Sequence, residues 1–151
     1  MIPSQNSKVI NVIPPVAIKD NASWTTTEID TKGFDYCTIY VNLGATDIAA
    51  AALKVQESDT TGTGFADVTG LVYGTSTNTA GSTSTLPSAT DDDDIFVFEI
   101  DLRKRKRFLD LVATAGNGTN GTFASAIAVL EKATNTPTTA AERGANQILR
   151  L

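Results

Sequence analysis

Between positions 36 and 43, Cys37, Ile39, Val41 and Leu43 alternate with Tyr36, Thr38, Tyr40 and Asn42, the two-residue period of a strand with one buried face. The same period sets Leu53 and Val55 against Lys54 and Gln56, sets Phe96, Phe98, Ile100 and Leu102 against Val97, Glu99 and Asp101, and sets Leu109, Leu111 and Ala113 against Asp110. Residues 123–130 are apolar on both sides except at Ser125, which predicts a central or interface-facing strand. Residues 9–13 and 22–25 are further strand candidates. The first is followed by Pro14-Pro15, so it ends there or lies at a sheet edge.

Turn chemistry separates these runs. Lys32-Gly33-Phe34-Asp35, residues 59–64, Gly70 and the Gly/Asn-rich stretch 116–121 supply the positive-φ positions that tight reversals need. About seven short strands spaced in this way predict an all-β antiparallel sandwich or barrel, not a βαβ fold. Residues 47–53, with four consecutive alanines, and residues 139–148 could each form one helical turn. The ends differ from the middle: residues 1–20 and 133–151 are Pro-punctuated and polar, and read as N- and C-terminal arms leaving a sandwich domain at residues 21–132. Arms are normally disordered, yet the second finishes Ile148-Leu149-Arg150-Leu151. So apolar a segment docks either on an open edge of its own sandwich or on another subunit.

At 151 residues one domain is expected, able to bury about two-thirds of its unfolded surface. The chain has no histidine and one cysteine, which excludes Ser-His-Asp, Cys-His and HExxH chemistry, an intrachain disulfide and a multi-cysteine zinc site. No cationic segment followed by an apolar core opens the sequence, and the longest apolar run, residues 48–53, is far shorter than a membrane span. The expectation is a soluble protein made in the cytoplasm, without membrane partner. Net charge is −5, which argues against a broad nucleic-acid-binding face.

Five of the twelve cations are consecutive: Arg103, Lys104, Arg105, Lys106 and Arg107. Lying between two in-phase strands, they read as a hairpin tip, either a solvated turn with gatekeeper charges or a contact for carboxylates of a partner protein. The aspartates Asp91, Asp92, Asp93 and Asp94 lack EF-type spacing and alternate in direction along an extended segment, so a solvated loop is expected and no metal site. Glu57 and Glu99 are formally available as a hydrolytic pair, but nothing in the sequence brings them together. Cys37 reads as a core thiol and Trp24 as a core anchor, not a sugar platform. No phosphate- or dinucleotide-binding glycine motif is present, and no cofactor is expected. These features point to binding or assembly and away from an enzyme.

Several segments resemble small virion proteins of tailed bacteriophages and prophages: VINVIPP at 9–15, NASW at 21–24, LKVQESDTTGTGFADVT at 53–69, IFVFEIDL at 95–102 running through the basic turn into FLDL at 108–111, and TAAERGA at 139–145. Within that group the chain is similar to head decoration, or cement, proteins. The resemblance implies a β-sandwich of jelly-roll type that sits as an oligomer, a homotrimer by expectation, on the outer surface of the capsid and bridges neighbouring major capsid subunits. On this reading Arg103, Lys104, Arg105, Lys106, Arg107, Ile148, Leu149 and Leu151 make capsid or inter-subunit contacts. The alternative is a carbohydrate-binding adhesion, tail or spike module on the virion surface, using residues 74–90 with Tyr36, Tyr40 or Tyr73.

Overall fold

In the computed structural model, which describes residues 2–150, the alternating runs become eight strands: β1 (Ser7–Ile13), β2 (Ile29–Asp30), β3 (Phe34–Leu43), β4 (Ala52–Ser58), β5 (Ala66–Val72), β6 (Ile95–Asp101), β7 (Phe108–Thr114) and β8 (Ala124–Ala133). Among the described residues helix is confined to two 3-10 turns, Pro3–Asn6 and Leu102–Lys104. The strands form two antiparallel four-stranded sheets, ordered β1-β8-β3-β6 and β2-β7-β4-β5. Only β4 and β5 are consecutive neighbours in one sheet, so every other connection crosses from one layer to the other.

The predicted inward faces meet in one core. On β3, Cys37, Ile39 and Val41 are fully buried and stand opposite Ile100, Phe98 and Phe96 of β6 on one side and Leu130, Ala128 and Ala126 of β8 on the other. The second sheet adds Leu53, Val55, Leu109, Leu111 and Ala113. The small alanines of β8 share this cluster with larger side chains, a mix of sizes with which packed layers interdigitate. Trp24 is buried in this core, and its indole N–H donates to the Ala17 carbonyl at 3.3 Å.

Five expectations change. Residues 103–107 are not a hairpin tip: β6 belongs to the first sheet and β7 to the second, so the basic run is a corner between layers. Asp101 turns it, accepting the Arg103 N–H, while Leu102 is buried beneath. Residues 1–20 do not simply leave the domain as an arm, because Ser7–Ile13 is the edge strand β1, paired with β8. Residues 22–25 make only an isolated bridge at Ser23. The alanine stretch forms no helical turn, and its end starts β4. Strand β5 was hidden by Gly70, which marks a reversal in sequence but lies inside the strand at φ +92°, where pairing with β4 jumps from Lys54↔Val72 to Gln56↔Asp67 as a bulge.

Candidate functional site: an apolar sheet face with a charged rim

The outer face of the first sheet carries one in-register row from β1 to β6: Asn11, Ile127, Tyr40 and Val97. Ile95 and Phe123 extend it along the strands. Exposure of its large side chains runs from 37% at Val97 to 61% at Ile95, so these apolar groups face solvent. Strand β8 is thus central in its sheet, flanked by β1 and β3, with alanines to the core and Phe123, Ile127 and Val129 outward. That double-sided apolarity was the sequence signal for the face.

Toward the other end of the same face the surface becomes charged. Tyr36 pairs with Glu131 and Asp101 across the strands, and its ring lies under the Arg103 guanidinium at 5.5 Å and the Lys132 ammonium at 5.7 Å. Arg103 Nε donates to Asp101 Oδ1 at 2.8 Å. This side-chain bond, aided by the Arg103 N–H, holds the Asp101 carboxyl down at about 2. An apolar centre beside a charged margin is the anatomy of a protein interface.

The basic corner sits at this margin, and its arginines are engaged by their own chain. Arg107 bonds Asp30 through Nε and Nη2 at 2.8 and 2.7 Å, which lowers the Asp30 pKa, and its guanidinium lies 4.7 Å from the Phe108 ring centre. Glu57 continues the inner row of β4 to the end of the core, where it accepts the Lys106 N–H at 3.1 Å and pairs with Arg105 at 3.6 Å. Among the described residues no carboxylate lies within ion-pair distance of the Lys104 or Lys106 side chains. Five like charges stay together because Asp101, Glu57 and Asp30 offset three of them.

The segment after β8 returns to the opposite edge of the first sheet. Glu142 accepts the N–H groups of Thr138 and Thr139 and the Thr138 hydroxyl, and these bonds hold its carboxyl at about 2. The turn so formed presses on β1: the Val9 N–H donates to the Arg143 carbonyl at 2.9 Å, and the Arg143 guanidinium donates to the Ser4 carbonyl. Gly144, at φ +74°, follows so closely that a Cβ there would overlap the Val9 carbonyl. Residues 139–145 therefore cover an edge of their own sandwich. Beyond them Ile148 is 38% and Leu149 97% exposed. Leu151 lies outside the described residues.

At the β6 edge, an open groove of about 590 Å³ lies between Tyr40, Ile95 and Val97 on one side and residues 70–73 and 76–79 on the other. The Tyr73 hydroxyl donates to the Val97 carbonyl and accepts the Val97 N–H, at 2.9 and 3.2 Å, and its ring packs edge-on against Phe96 and Phe98. Tyr73 thereby blocks the middle of an otherwise open strand edge, a role no local sequence signal marks.

The remaining candidates are dispersed. Asp91 accepts the Ser88 N–H and hydroxyl, and Asp92 accepts the Thr46 N–H, so these carboxylates brace loops, and no cluster of three or more metal-ligating groups forms among the described residues. Glu57 closes the core end while Glu99 is on the outer face of the other sheet, so the two are not brought together. Cys37 is fully buried, and desolvation pushes its thiol up to about 12. No helix among the described residues is long and apolar enough to cross a membrane. Comparison of the chain with protein-family models, with curated proteins and with solved structures finds no match.

Proposed function

We propose that this chain is a non-enzymatic structural protein of a tailed-bacteriophage virion, which binds the outside of the capsid and cements neighbouring major capsid subunits. The observation that carries this reading is the exposed apolar row Phe123, Ile127, Tyr40, Val97 and Ile95, on a sheet face with a charged margin. It suits broad contact with a protein surface better than enclosure of a small molecule. The sequence resemblance supplies the partner, and the strand orders 1-8-3-6 and 2-7-4-5 support the jelly-roll reading, since each sheet interleaves early and late strands as two Greek keys do. A protein that binds only the assembled shell stabilises it by mass action, by about 2.7 kcal/mol per site at a hundredfold excess over Kd. Multiplied over a lattice, this opposes the pressure of packaged DNA.

The glycan-binding alternative draws on the groove and on Tyr40. Its polar groups are largely committed, however: Ser84 and Asn78 are hydrogen-bonded within their own loop and Tyr73 to the strand edge. Co-sedimentation with capsids lacking the protein separates the readings. Wild type should pellet with the shells and Tyr40→Asp/Ile127→Asp should not, whereas pelleting of the variant at wild-type level would remove the face from the contact.

A further inference from the structure

We propose that residues 146–150 of one copy occupy the groove beside β6 of a neighbouring copy. The inference goes beyond the proposed function, which has the capsid as partner, and gives self-association a donor and an acceptor.

The donor is defined by what it fails to cover. Up to Ala145 the segment is fastened to β1 through Val9, yet Leu149 is 97% exposed and Ile148 38%. A run of Ile148-Leu149-Arg150-Leu151 carries apolar side chains at a density seldom left in water. The acceptor is the groove lined by Tyr40, Leu71, Tyr73, Ile95 and Val97, with Glu99 at its rim. Glu99 makes no ion pair or side-chain hydrogen bond among the described residues, and it offers a carboxylate to Arg150. The Val97 peptide groups at the middle of the edge are taken by the Tyr73 hydroxyl, so continuous strand pairing along β6 is blocked and a docked segment is held through its side chains. An extended segment laid in the groove would meet apolar side chains and an opposite charge.

The donor leaves from the β1 edge and the acceptor lies at the β6 edge, the two opposite borders of one sheet. The junction can therefore pass head to tail around a ring or be exchanged reciprocally across a two-fold axis, and the subunit count separates the two.

Two variants at exposed positions test this without threatening the fold. Leu149→Asp spoils the donor and leaves the groove; Val97→Asp spoils the groove and leaves the donor. In sedimentation velocity the wild-type full-length protein should run as a closed oligomer, and each variant alone as monomer, with the junction weakened at least tenfold. An equimolar mixture of the two should give one-to-one heterodimers and nothing larger, because a single junction is restored. Monomeric wild type, wild-type mass retained by Leu149→Asp, or a mixture that stays monomeric would each overturn the proposal. If Val97→Asp alone dissociates the oligomer, the sheet face packs on itself and the donor is wrong. Capsid co-sedimentation of wild type and Leu149→Asp keeps the two readings apart, since Val97 also lies in the face assigned to the capsid: an oligomer that ignores capsids leaves this inference standing and removes the capsid role, and a monomer that binds capsids does the reverse.

Discussion

Phe98 and Cys37 show how much one residue's position in a strand period decides. Both are in phase with the inward row, and both are buried, Phe98 at 3% and Cys37 at 0% exposure. Truncation to Phe98→Ala should lower stability by about 3–5 kcal/mol in denaturant unfolding, as aromatic deletions in cores do; a loss under about 1 kcal/mol would mean that the strand is out of phase. Cys37 has its thiol raised to about 12 by desolvation, so thiolate is scarce and access closed. Labelling by a thiol reagent should therefore proceed only at the rate of unfolding, and rapid stoichiometric reaction of the native protein would contradict this placement. These positions were legible because alternation alone sets the face. Tyr73 was not, since its hydroxyl meets Val97, 24 residues along the chain, and nothing local announces which strand will lie at an edge.

At the scale of elements, the turn at 139–145 and the basic corner make separate predictions. Glu142 stabilises its turn as a carboxylate: its folded pKa of about 2 lies below the ordinary glutamate value of 4.5, so that contribution is full above the unfolded value and is lost as pH falls through the folded one. In an NMR titration the Thr139 and Val9 amides should shift together with a midpoint near 2, while Glu142→Gln should show the released shifts already at neutral pH. A midpoint at the ordinary glutamate value would show that the carboxylate does not hold the turn. For the corner, Arg103→Gln/Arg107→Gln should change thermal stability by no more than about 1 kcal/mol, because these two pairs are exposed and contribute little. It should also weaken capsid binding at low salt more than at high salt. Unchanged occupancy at low salt would leave the corner a solvated connection whose charges serve only Asp101, Glu57 and Asp30. The strands flanking this corner were readable, but their partners were not: period two places a side chain on a face and says nothing about which sheet the strand joins. The bulge at Gly70 hid β5 for a related reason, since the residue that signals a reversal also permits a break in register.

Over the whole molecule, two sheets enclose a core built largely from residues that alternation had already singled out. The first sheet ends in a β1 edge covered by its own chain and a β6 edge closed at its centre by Tyr73. The outer face remains open. Its apolar character was partly visible in the double-sided β8 run, but the row emerges only when register aligns Ile127, Tyr40 and Val97 across three strands. Partner identity has no such signature, because a surface row specifies that something apolar is met and not what it belongs to. The most direct measurement is therefore imaging by electron cryomicroscopy of capsids assembled without this protein and then saturated with it. The expected result is ordered density at symmetry-related positions on the outer surface, each copy bridging adjacent capsid subunits with Tyr40, Val97 and Ile127 buried in a contact. Shells that remain bare at saturating protein, or density confined to a tail or spike, would contradict a cementing role.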